Sequence, residues 1–157
     1  MIRLQNILVA TDFGPASDAA LTYGRALART FGAQLHLLHV MGNSFLRPRP
    51  ADPPAHKAAV LRTLHDQVTA DDRTALKARL VLDTSDSPAD RITEYANTAS
   101  IDLIVIGTNG RSAMAQLLVG SVAERVVRTA RCPVLTVKHP EHEFVVPDRI
   151  SQTTAQA

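Results

Sequence analysis

The stretch Ile7-Leu8-Val9-Ala10-Thr11-Asp12-Phe13-Gly14-Pro15 decides the architecture. Its first four residues are apolar without alternation and stop at a turn-rich segment, the signature of a short strand buried on both faces of a parallel sheet. Ser17 is placed to cap the helix that follows, in which Ala20, Gly24, Leu27, Ala28 and Phe31 recur at helical spacing before Gly32 ends it. Gln34 to Val40 reads as a second strand. Strand, helix and strand so closely spaced make a βαβ unit, which forces a parallel pair with a right-handed crossover.

Outward from that unit the alternation continues. Met41 to Ala55 carries Pro48, Pro50, Pro53 and Pro54 and reads as a mobile loop over one face of the domain. Lys57 to Ala70 is expected to be helical, with Val60, Leu61, Leu64 and Val68 on one side, and Ala78 to Leu82 is a third strand. Ser87-Pro88-Ala89-Asp90 combines a capping serine, a proline at the first helical position and an acid in the first turn, opening a helix that runs to Ser100. Ile101 to Ile106 is a fourth strand, Val122, Val126, Val127 and Ala130 stripe a last helix, and Val134 to Val137 is a fifth strand. The expected fold is therefore α/β: a single doubly wound domain with a five-stranded parallel sheet and four helices, residues 1–138, followed by a partly ordered tail, 139–157. Ligands of such sheets sit beyond the carboxyl ends of the strands, which directs attention to the loops after strands one and four.

Composition removes several classes. With 157 residues, 45% of them hydrophobic, the chain can bury a core without a metal or disulfide staple. Cys132 is the only cysteine, so no intrachain disulfide can form. The amino-terminal residues lack a secretory pattern and no apolar run approaches membrane-spanning length, which makes the cytoplasm the expected compartment. The 17 Lys and Arg nearly balance the 15 Asp and Glu, and they are scattered, so nucleic acid is not an expected partner.

Three of the seven glycines fall between positions 107 and 120. Gly107-Thr108-Asn109-Gly110 follows strand four, and after nine intervening residues Gly120-Ser121 opens a helix. Glycines let a backbone turn tightly and approach a ligand, while the positive end of the helix and the Ser121 hydroxyl favour phosphate. The segment lacks the lysine of the common phosphate-binding loop and the close glycine triplet of dinucleotide folds. The bland alternative is that Gly107 and Gly110 serve only to turn the chain out of a buried strand.

The register of Gly107, Gly110, Gly120 and Ser121, with Ile7 to Phe13 near the start and Cys132-Pro133-Val134-Leu135-Thr136-Val137 near the end, closely resembles the universal stress protein family, in its ATP-binding branch. The resemblance implies the strand order 3-2-1-4-5 and a bound ATP or related adenine nucleotide serving as a regulatory ligand in stress response. Asp12 matches the acidic residue beside the adenine and ribose, and Val40 the position whose backbone meets the adenine. Gly107 and Gly110 match the ribose and phosphate side. Gly120, Ser121 and Val122 match the positions that hold the phosphates. Any Mg²⁺ or Mn²⁺ would be bridged by those phosphates. The resemblance further implies a homodimer through Pro133 to Val137. Many relatives carry glycine or serine after the strand-one acid, whereas this chain has Phe13. A ring there would stack on the adenine or narrow the pocket.

The remaining candidates carry less. Asp12 can equally be a turn residue. Arg111 follows the glycine loop and can reach a phosphate, although a lone surface arginine is usually solvated. His36 and His39 lie three apart on a strand and point to opposite faces, so they cannot share a metal. His139, Glu141, His142 and Glu143 resemble a metal cluster but fall in the tail. Cys132 reads as a small buried hydrophobe. No catalytic residue is expected. Two other functions fit the same segment: slow ATP hydrolysis or phosphoryl or adenylyl transfer, and a nucleotide-free dimeric interaction module.

Overall fold

The computed structural model describes residues 1–42, 50–108 and 119–139. Five strands, β1 (Asn6–Ala10), β2 (Gln34–Met41), β3 (Arg79–Thr84), β4 (Leu103–Gly107) and β5 (Val134–Val137), form one sheet in the order β3-β2-β1-β4-β5. Every pair is parallel, with Ala10 opposite Leu38 on one side and Ile106 on the other. Ile7, Leu8, Val9, Ile104 and Val105 are wholly buried, as their unbroken apolar runs require.

Five helices join the strands: α1 (Pro15–Phe31), α2 (Pro53–Asp66), α3 (Ala70–Ala75), α4 (Pro88–Thr98) and α5 (Ser121–Thr129). The expected count was four. The single helix expected from Lys57 to Ala70 is instead α2, which begins four residues earlier, followed by the separate short α3. Asp52 caps α2 by accepting from the Ala55 amide at 3.0 Å, and Pro53 takes the first turn, where its missing N–H costs nothing. Thr69 and Asp72 exchange bonds at the start of α3, and the wholly buried Asp72 side chain takes a 2.7 Å bond from Arg25 of α1. That ion pair ties a helix too short to be stable alone to the domain.

Gly14, not Ser17, is the N-cap of α1; Ser17 stands three residues further on and its hydroxyl accepts from the Gly14 amide at 3.2 Å. Gly32 ends α1 at φ 65°, the left-handed conformation expected of a C-cap glycine. Gly24 is small because α1 lies directly on β1: a Cβ there would collide with Val9. The two crossover directions place a different helix set on each face. Leu21, Tyr23 and Ala28 of α1 share one core with Leu64, Leu76, Leu35, Leu37 and Val105. Ala89, Ile92 and Ala96 of α4 share the other with Ala123, Val126, Leu8, Leu38 and Ile104. Sequential strands step outward from β1 first one way and then the other, so β1 and β4 flank the point where the order reverses, and the loops after them diverge to open a crevice.

Two expectations lie largely outside the described residues. The proline loop is described only at its two ends, and of the tail only His139 is described. Among the described residues no helix is long and apolar enough to cross a membrane.

Candidate functional site

A cavity of about 290 Å³ opens where β1 and β4 part, at the small end of the range for small-molecule sites. Its floor is apolar, made by Ala10, Leu38 and Ile106 at the ends of three strands together with Ile92 of α4. Asp12, Val40, Gly107, Gly120, Ser121 and Val122 all line it. Gly110, the remaining candidate, lies outside the described residues, as do Arg111 and most of the tail cluster.

One wall is made by side chains. The chain leaves β1 through Thr11, Asp12, Phe13 and Gly14, and a network of short-range hydrogen bonds holds that turn. The Phe13 amide donates to Thr11 Oγ1 at 3.0 Å, and the Gly14 amide to Asp12 Oδ1 at 2.9 Å. Ser17 Oγ lies 2.9 Å from Asp12 Oδ1 and 3.2 Å from Thr11 Oγ1. Asp12 is thus both a turn residue, through Oδ1, and a cavity residue, with Oδ2 lacking a hydrogen-bond partner among the described residues. Phe13 stands at φ 63°, a conformation costing a side-chain-bearing residue about 1–2 kcal/mol. A glycine would take the same backbone without that cost. The Phe13 ring does not line the cavity; it packs beside His39, ring centroids 4.3 Å apart, a contact of about 0.5–1.5 kcal/mol that offsets part of the strain.

The opposite wall is made by backbone. A Cβ on Gly107 would sit 2.7 Å from the carbonyl carbon of Ala16, so this residue is glycine because α1 packs against it. Close helix approach thus explains Gly107 whether or not a ligand does. The Gly120 amide is committed to the Thr108 carbonyl, leaving the first-turn amides of Ser121, Val122 and Ala123 as the donors with no helical partner. Among the described residues no side chain caps α5, nor does any cap α4, whose Pro88 also lines the cavity; Ser87 donates instead to Asp90 at 2.6 Å. Two open helix N-termini therefore meet at the crevice, and their dipoles favour an anion. The described lining residues contain one carboxylate, Asp12, and no lysine or arginine.

Beyond the floor, on the same face of β2 as Leu38 and Val40, His36 is buried against Tyr95, whose hydroxyl is 2.7 Å from Nδ1. Nε2 has no hydrogen-bond partner among the described residues, and burial, aided by the nearby Arg79 charge, pushes the imidazole down to about 4. His39, on the opposite face, hydrogen-bonds the Thr11 carbonyl at 2.7 Å through Nδ1. The two histidines do point apart as strand geometry demands. Cys132 packs against the α4–α5 core, half-buried, and burial raises its thiol.

Thr11, His39, Pro88, Ile92 and Thr108 also line the cavity and went unread in the sequence. Thr11 and Thr108 had a usable signal, each being the first residue past a buried strand that points at the switch. Pro88 and Ile92 had none, since α4 is brought to the crevice by a crossover from the edge strand β3, past β2 and β1, to β4.

The strand order and the position of the crevice define a doubly wound α/β domain with an opening where such domains hold ligands. The chain belongs to the universal stress protein family, whose model matches residues 3–138. Among relatives, it is 29% identical to universal stress protein Rv2005c of Mycobacterium tuberculosis over 93% of this chain, and it spans about half of that protein's length, 51%. The structure of universal stress protein UspA from Lactobacillus plantarum superposes with a TM-score of 0.74 at 29% identity, covering 87% of this chain and 99% of that one. A universal stress protein solved in complex with cAMP superposes with a TM-score of 0.65 at 26% identity, covering 87% and 98%.

Proposed function

We propose that this chain binds an adenine nucleotide in the crevice between the loops after β1 and β4, as a regulatory ligand in stress response. The observation that carries the reading is convergence. Asp12, Val40, Gly107, Gly120, Ser121 and Val122 come from four separate parts of the chain and line one cavity. The apolar floor suits a purine, Asp12 Oδ2 suits a ribose hydroxyl or amine donor, and the open amides of α5 suit phosphate. A relative solved with cAMP supports the nucleotide class.

ATP is the ligand proposed, with Gly110 completing its phosphate side and any Mg²⁺ or Mn²⁺ held through phosphate oxygens. The binding unit is residues 1–138, acting in the cytoplasm. The protein pairs with a second copy through β5, an edge strand whose Leu135 and Thr136 are exposed. The test is titration calorimetry with ATP, ADP, AMP and cAMP, alongside mass analysis of nucleotide released on denaturation. Saturable binding that is lost in Ser121→Pro and Asp12→Lys supports the reading. No heat and no released nucleotide at millimolar ligand would overturn it.

A further inference from the structure

We infer that His39 is a positioning residue for the nucleoside end of this cavity, acting through the Thr11–Asp12–Phe13 turn; the inference rests on the adenine-nucleotide reading above. Three observations converge on the imidazole. Nδ1 is 2.7 Å from the Thr11 carbonyl oxygen, so the ring donates to the last residue before Asp12. Its face lies beside the ring of Phe13, the residue after Asp12, at 4.3 Å and 34° between planes. His39 is itself one of the residues lining the cavity, as Asp12 is.

His39 therefore grips both neighbours of Asp12, one through a hydrogen bond and one through a ring contact. This grip matters because the turn is under strain. Phe13 is in the left-handed region that a phenylalanine avoids, and such a residue persists only where its surroundings over-determine it. Within the turn, Gly14 and Ser17 fix one oxygen of Asp12 and thereby aim the other. Those bonds are local and would follow the turn wherever it went. The His39 ring belongs to β2, an interior strand paired on both sides, and the Thr11 amide donates to Leu38 of the same strand at 2.9 Å. His39 thus ties a strained, self-bonded loop to the rigid frame that also carries Val40, so that Asp12 and Val40 meet the same nucleoside in fixed register.

The two grips can be separated. His39→Asn keeps a donor near the position of Nδ1 and removes the ring; His39→Phe keeps a ring beside Phe13 and removes the donor; His39→Ala removes both. AMP binding is followed by amide chemical-shift titration, which reads affinities into the millimolar range, with the urea midpoint of each variant as the measure of folding. We expect His39→Asn and His39→Phe each to weaken AMP about fivefold and His39→Ala more than tenfold, a graded rescue that loss of stability alone does not produce. On an Asp12→Asn background the same His39→Ala change should cost less than twofold, because its effect passes through that carboxylate. Without ligand, exchange of the Gly14 amide, which reports its bond to Asp12, should accelerate at least tenfold in His39→Ala. Unchanged AMP affinity across the series, undiminished His39→Ala cost on Asp12→Asn, or unchanged Gly14 exchange would each overturn the inference. Failure of the unaltered protein to bind AMP or ATP is a different result: it removes the nucleotide reading, and this one with it.

Discussion

The two walls of the crevice are built on opposite plans. After β1, side chains do the work: Thr11, Asp12, Ser17 and His39 bond to one another and to the turn they sit on. After β4 and at the start of α5 it is the backbone, with Gly107 pressed against Ala16 and the first amides of α5 left open. A wall of side chains can be altered one group at a time and discriminates among ligand donors and acceptors. A wall of backbone tolerates no added atom and recognises charge and shape. The difference teaches that Gly107 is required by the packing of α1 whether or not a ligand uses it, and that the proposed nucleotide would meet its distinguishing side-chain groups on the β1 side.

The sharpest way to break the comparison is Gly107→Ala. Its Cβ would meet the main chain of Ala16, which cannot turn aside as a side chain can, so urea denaturation should show a loss of about 3 kcal/mol. Gly42, with nothing within 4 Å of a Cβ, is the control, and equal loss at both positions would show that the backbone wall is not close-packed.

Next in size is the response to acid behind the cavity floor. His36 is neutral in the folded chain down to about pH 4, whereas the unfolded chain takes up the proton near 6.5. The unfolded state binds more protons throughout that window, so the stability His36 contributes is present above 6.5 and is lost as pH falls toward 4; between pH 7 and 5 the drop is about 2 kcal/mol. That part should vanish in His36→Leu. An identical acid response in both proteins would mean the histidine is not the group titrating.

Ser17→Ala removes a hydroxyl shared by Thr11, Asp12 and Gly14 and should cost about 1–2 kcal/mol, together with weaker nucleotide binding. Equal losses of binding and stability from Ser17→Ala and from a remote core change would erase the distinction between the walls. The smallest effect is expected from Arg125→Ala. Arg125 makes a two-pronged bond to Asp90 at 2.9 and 3.0 Å, tying α5 to α4, but both side chains are at least half exposed. Solvent screening limits such a pair to about 0.5 kcal/mol, visible as a small shift in the urea midpoint that salt removes.

Much of this was legible in the residues. Unbroken apolar runs separated by amphipathic stripes specify a parallel sheet covered on both faces, and the glycine register points to the family and to the loops that matter. Helix ends were read less well, for a local reason. Ser17 carries a capping hydroxyl and Gly14 none, and only the geometry of the turn decides that Gly14 takes the N-cap backbone position while Ser17, inside the helix, accepts from its amide. Lys57 to Ala70 read as one helix because its apolar stripe ignores the break at Thr69, where capping chemistry overrides periodicity.

By itself the sequence determined the order of strands and helices, the apolar faces and the identity of most candidate residues, because periodicity and turn chemistry act over a few neighbours. Tertiary structure alone decided what those residues do. The close approach of α1 gives Gly107 its reason, the strain at Phe13 gives His39 a task, and the long crossover of α4 brings Pro88 and Ile92 to the cavity that Asp12, Val40 and Gly107 also line. Contacts between residues distant in sequence depend on how whole elements pack, and no local pattern encodes them.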